Sequence, residues 1–153
     1  MCFKKFREIK ITFLKVNFWG IKKMPYEPRY FKPEEVQGLN DELVAGIDRA
    51  RHKAGIPFII TSSKRVLAEN DRLVHLGAVP DSAHLTGHAV DLRCTNSTEC
   101  WKIVESLIVE GFKRIIIGIK KDAVPGSDEF YHNVHVDNSP DKPSPVLSIK
   151  LYP

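Results

Sequence analysis

The sequence predicts an α+β domain, a small antiparallel sheet flanked by helices. Three observations carry this prediction. Apolar residues recur at helical spacing over two long segments, and four short β-branched or alternating runs lie between and after them. The chain has 153 residues, about one domain by length. Its hydrophobic fraction of 42% and charged fraction of 27% are those of an ordinary globular protein.

The elements follow in order. Pro25, Pro28 and Pro33 mark an extended lead-in, and Pro33 with Glu34 and Glu35 opens a short helical turn. Leu39, Leu43, Ile47 and Ala50 form a helical stripe, with Lys53 and Gly55 as stop signals, which predicts a helix over 39–54. The run 57–62, rich in β-branched residues, predicts a buried strand. A polar helix is expected over 64–75 and a loop over 77–87. Residues 89–93 alternate as a strand does. Asn96 and Glu99 have the spacing of a capping box, opening a helix whose stripe reads Trp101, Val104, Leu107 and Ile108 and which closes at Gly111. Residues 114–119 predict a second buried strand, 120–128 a charged loop, and 133–137 a last strand. The prolines at 140, 143 and 145 predict an irregular tail.

The net charge of +4 is local. Residues 1–23 hold seven Lys/Arg against one acid, which leaves 16 basic and 18 acidic residues for the rest. Nothing therefore predicts nucleic-acid binding by the domain. Residues 1–24 read as a basic leader outside the fold, with contact to an anionic surface as the alternative, and residues 25–153 as a single domain. The leader's uncharged runs are shorter than the apolar run of about 7–15 residues in a secretory signal. They are far shorter than the span of about 20 residues that stable membrane insertion needs. Synthesis in the cytoplasm without a signal peptide is expected. Cys94 and Cys100 do not form a C-x-x-C pair, and the three cysteines read as two or three free thiols in a reducing compartment. Nothing demands an oligomer, and a monomer is expected.

The chemistry concentrates in 82–91. Zinc takes His nitrogen, carboxylate oxygen or Cys sulfur, and a catalytic site supplies three ligands with one position left for water. His84 and Asp91 suit a ligand on a loop and another on the strand that follows. Gly87 permits the turn between them, and Ala89 leaves room for an ion. A third ligand should come from a separate element. His135 and Asp137 share one face of the last strand, with Val134 and Val136 pointing to the core. A lone His near an Asp is more often a surface pair than a metal site, so the weight rests on the whole pattern.

Ser82-x-His84-x-x-Gly87-x-Ala89-x-Asp91, followed by His135-x-Asp137 on an apolar strand, resembles the zinc D-alanyl-D-alanine carboxypeptidase family. That family includes phage and bacterial L-alanyl-D-glutamate endopeptidases, and its fold is shared with the hedgehog signalling domain. The segment 59–65 with Asn70 extends the resemblance, which covers about residues 30–138. It implies one zinc ion per chain, held by His84, Asp91 and His135. It implies that Arg65 binds a substrate carboxylate or polarises the scissile carbonyl, a role suited to a planar, permanently charged fork. Ser82 is expected to bond locally and face substrate, and Asp137 to orient a ligand.

The general base is open. Relatives place a carboxylate three residues before the last ligand, where this chain has His132. An imidazole at that position is a residue type suited to proton transfer. Glu129 matches the spacing of hedgehog-type domains, and Asp128 stands third. His132 and Glu129 each need a bend in the chain to reach a metal beside His135. The resemblance implies a peptidase that cuts a stem peptide of the bacterial cell wall, as a D,D-carboxypeptidase or an endopeptidase of the endolysin type, phage or prophage encoded. A non-catalytic zinc-containing binding domain of the same fold is the alternative.

Overall fold

Asn40 opens the first helix. Its side chain accepts from the amides of Glu42 and Leu43 at 3.0 and 3.2 Å, and α1 runs Asp41–Ala54 until Gly55 takes a left-handed φ of 64°. The expected stripe is buried: Leu39, Leu43, Ile47 and Ala50 all face the core. Asp48, on the same helix, is fully buried. It accepts from the Tyr26 hydroxyl and from the amides of Arg29 and Tyr30, which ties the lead-in segment to α1. The structure, a computed structural model, describes residues 26–76, 78–124, 127 and 131–152. The predicted leader over 1–24 lies outside them.

Several local expectations are corrected. Residues 33–35 form a turn, closed by Glu35 accepting from the Lys32 amide at 2.7 Å, instead of a helical one. The strand expected over 57–62 is only Ile60–Ser62 (β1), and it is half-exposed because β1 has a neighbour on one side alone. The helix expected over 64–75 is α2, Leu67–Arg72, followed by a 3₁₀ turn at Val74–Leu76. This segment has no apolar face to bury. Val66 and Leu67 are exposed, and only Asn70 is buried, donating to the Val79 carbonyl at 2.9 Å.

β2 is Ala89–Arg93, as predicted. α3, Ser97–Val109, begins at Asn96, whose side chain accepts from the Glu99 amide at 2.9 Å. The Glu99 carboxylate reaches back to the amide and hydroxyl of Thr95. The buried face is Cys100, Ile103, Val104 and Leu107, however, and Trp101 and Ile108 are exposed at 66% and 50%. The i, i+3, i+4, i+7 stripe from Cys100 packs against α1, and Trp101 stands one residue around the helix from it.

β3 is Arg114–Lys120, β4 is Tyr131–Asp137 and β5 is Val146–Tyr152. The sheet order is β1-β2-β4-β3-β5, antiparallel throughout except for the parallel pair β3 and β5. β5 overturns the expected irregular tail. The three prolines occupy only the 138–145 connection, which crosses the start of β3. It is held there by Arg114 donating to the Pro143 carbonyl and by the Val146 amide bonded to Lys113 O. Ile115, Val90, Leu92, Val134 and Val136 face the helices and form the core. The alternate residues of the same strands line the other face, where the polar groups gather.

Candidate metal centre

The site is built on one rung of the sheet. Asp91 on β2 and His135 on β4 are direct register partners, so their side chains emerge side by side, with His135 Nδ1 2.9 Å from Asp91 Oδ1. His84 comes from the loop before β2. Its Nε2 lies 3.3 Å from His135 Nδ1 and 3.4 Å from Asp91 Oδ2. Gly87 sets that loop. Its φ is 74°, its carbonyl accepts from the Asn40 amide, and a Cβ there would stand 2.3 Å from the Gly38 carbonyl oxygen.

The donor atoms of His84, Asp91 and His135 all lie within 4.8 Å of one another and can hold a metal ion. The far side of each ring fits the same reading. His84 Nδ1 is 2.8 Å from the Ser63 carbonyl and donates to it, which turns Nε2 inward. His135 is turned the other way. Its Nε2 bonds Asp137 Oδ2 at 3.0 Å, leaving Nδ1 inward. Asp137 is itself fully committed, accepting from Arg114 Nε at 2.7 Å and from the Ser139 amide at 3.2 Å. Two imidazoles and a carboxylate, each oriented from behind, suit a first-row divalent ion such as zinc.

Charge is concentrated there. Burial penalises the Asp91 carboxylate, but hydrogen bonds from His135 and His84 outweigh it and hold the carboxyl well below the usual range. Burial likewise opposes a charged His135, yet the bonds to Asp137 and Asp91 raise it to about 9. Asp137 is lowered in the same way, burial being outweighed chiefly by His135.

Arg65 reaches the same carboxylate, with Nη2 3.0 Å from Asp91 Oδ2 and Nε donating to Ser62 Oγ at 2.9 Å. Arg65 lines a cleft of about 610 Å³ together with Ser82, His84, Asp91, His132 and His135. Ser82 accepts weakly from the His84 amide at 3.4 Å. His88 bonds Thr86 and stays out of the trio.

Two bulges aim these groups. Ile60 and Ser62 pair with Leu92 and Asp91, so Thr61 is an extra residue in β1 and Ser62 comes opposite Asp91. Gly118 and Ile119 pair with Asn133 and Tyr131, which makes His132 the extra residue of β4. A bulge turns its strand locally, and this one supplies the bend that His132 needed to reach the cleft. Glu129 and Asp128 lie outside the described residues. Asn133 and Tyr152 also line the cleft, together with Arg114, Lys120, Lys142 and Lys150. The tail that sequence reading left irregular thus supplies a wall. The alternation of Ser148, Lys150 and Tyr152 with Leu147, Ile149 and Leu151 was the available signal.

Fold and site together define a class: an α+β protein with a three-donor His-Asp-His group at the floor of an open cleft, flanked by an arginine. The Peptidase M15 family model matches residues 22–137, and the chain belongs to that family of peptidases. Among solved structures, the L-Ala D-Glu endopeptidase ChiX of Serratia marcescens shares the fold. It has a TM-score of 0.51 and 21% identity, covering 78% of this chain and 92% of ChiX. No curated protein matches.

Proposed function

We propose that this chain is a zinc-dependent peptidase that cuts an amide bond within peptidoglycan stem peptides, acting as an endopeptidase. The observation that carries the reading is the convergence of His84, Asp91 and His135 beside Arg65 at the floor of the cleft. Membership of the peptidase M15 family supports the reaction class, and the likeness to an L-Ala D-Glu endopeptidase supports the substrate and the internal bond.

His84, Asp91 and His135 would hold one zinc ion, whose Lewis acidity would activate water and polarise the scissile carbonyl. The rest is done by the chain. Arg65 is pinned at Nε and Nη2, so its other donors are pre-aimed at a substrate carboxylate or carbonyl oxygen. His132, carried to the cleft by the β4 bulge, accepts and returns the proton of the attacking water. Asp137 fixes the orientation of His135, and Ser82 shapes the loop under the substrate. The place of action is the cell wall.

Purified peptidoglycan digested with the zinc-loaded protein should release new amino and carboxyl termini, identified by mass spectrometry. Chelation should abolish the release, and zinc should restore it. About one zinc per chain, lost in His84→Ala and His135→Ala, is expected by elemental analysis. Zinc bound at that ratio with no bond cut would favour the non-catalytic binding domain instead.

A further inference from the structure

Tyr152 belongs to none of the motifs that define the site, yet the fold carries its side chain across two strands toward the metal group. The passage depends on Gly118. A Cβ at Gly118 would stand 2.8 Å from Tyr152 Cε2 and 2.1 Å from Asn133 Oδ1, so the absent side chain is what lets the ring lie across β3. Beyond β3 the ring meets His132, with ring centroids 4.7 Å apart at 44°. The end of β5 is fixed by the Tyr152 carbonyl, which accepts from the Lys121 amide at 2.8 Å. Asn133, 5% exposed and two residues from His135, lines the same cleft beside the ring, and its Oδ1 has no partner among the described residues.

A phenol hydroxyl has one proton to give and two lone pairs. Tyr152 lines the cleft that His84, Asp91, His135 and Arg65 also line, so its O–H is available to a ligand held there. Burial and then the Asp91 charge raise the phenol, against Asn133 and Arg65, so it keeps its proton through neutral pH. Tyr152 lines that cleft from the β5 side of a sheet whose β1 side carries Arg65, with the metal group on the strands between.

We propose that the Tyr152 hydroxyl is a substrate-touching hydrogen-bond donor that binds the scissile carbonyl oxygen as it gains charge, across the cleft from Arg65. The inference rests on the peptidase reading above and deepens it. Tyr152 transfers no proton. Its O–H bond stays intact while its hydrogen bond strengthens in the transition state.

The test is Tyr152→Phe, which keeps the ring that packs on Gly118 and His132. Zinc content, thermal midpoint, kcat and KM on a stem peptide, and calorimetric affinity for a phosphinate analogue of the cleaved bond are measured. Zinc content and midpoint should match wild type, and KM should stay within about twofold. Both kcat and phosphinate affinity should fall by about 10²-fold, the effect of losing one such donor. Wild type that cleaves and binds the phosphinate, with Tyr152→Phe its equal in both, overturns the role of Tyr152 alone. Wild type that does neither overturns the peptidase reading and this inference with it.

Discussion

Asp137 gains its importance from being bonded on three sides. One carboxylate oxygen takes both the His135 ring and Arg114, and the other takes the Ser139 amide, so the imidazole cannot rotate without breaking a buried network. Asp137→Asn should lower zinc affinity by about 10–100-fold, read by competition with a chromogenic chelator, because the ring loses the acceptor that sets its tautomer. The same contacts give the metal-free protein a pH signature. The unfolded imidazole titrates near about 6.5, and the folded His135 at about 9. A folded value above the unfolded one means a stabilisation that is complete below about pH 6.5 and lost as the pH rises through 9. Asp91 and Asp137 are shifted downward, so their share is present above about pH 4 and is lost on acidification. Thermal midpoints of the chelated protein should therefore fall on both sides of that window, and His135→Asn should remove the alkaline fall. The grouping of His84 and Asp91 was legible because they sit with Gly87 and Ala89 in one short segment of fixed spacing, and that of His135 because it shares a strand face with Asp137. The direction in which each ring is turned was not, since it depends on the Ser63 carbonyl and on Arg114 from distant elements.

At the scale of elements, the β4 bulge explains why strand parity alone does not place His132. Alternation assigns it to the core side of β4, but one extra residue opposite Gly118 and Ile119 re-aims the strand at that point. Bulges leave no mark in the apolar pattern of a single strand, since they arise from pairing with a neighbour. Gly118→Ala puts a methyl group into the Asn133 amide and the Tyr152 ring. It should cost about 1–3 kcal/mol in chemical unfolding and reduce activity along with it. The cap of α3 was readable from Asn96 and Glu99, whereas its buried face was not. Cys100 and Ile103 compete with Trp101 and Ile108 for the core, and packing against α1 decides for the former pair. Ile103→Ala should thus cost about 2–5 kcal/mol in urea unfolding, while Trp101→Ser should change stability by no more than about 0.5 kcal/mol.

Across the whole molecule, helices cover one face of the sheet and leave the other to chemistry, so stability and function are divided between opposite faces of the same strands. Val90, Leu92, Val134 and Val136 hold the fold, while their neighbours Asp91, Asn133 and His135 face the cleft. A ligand that binds only the folded chain stabilises all of it. Zinc at a hundredfold excess over its dissociation constant should add about 2.7 kcal/mol, or about 5–10 °C in a scanning calorimeter for a chain of this length. His84→Ala should show no such gain. The helices do not extend over β5, where Leu147, Ile149 and Leu151 are more than half exposed along an outer strand. The layout of the sheet was readable as far as β4, because each earlier strand is announced by its own apolar run. β5 was hidden behind three prolines that belong only to the connection before it.

The chain separations within the sheet also set an order of events. His84, Asp91 and His135 are brought together by the pairing of β2 with β4, which spans 44 residues from Asp91 to His135, whereas β5 joins β3 across 32, from Arg114 to Val146. Pairings across more chain carry the larger loop entropy and close later. During refolding the group that could take up an ion would therefore come together no earlier than the wall of the cleft. Ion uptake would then mark a finished sheet, and a half-built chain would hold neither the ion nor the chemistry.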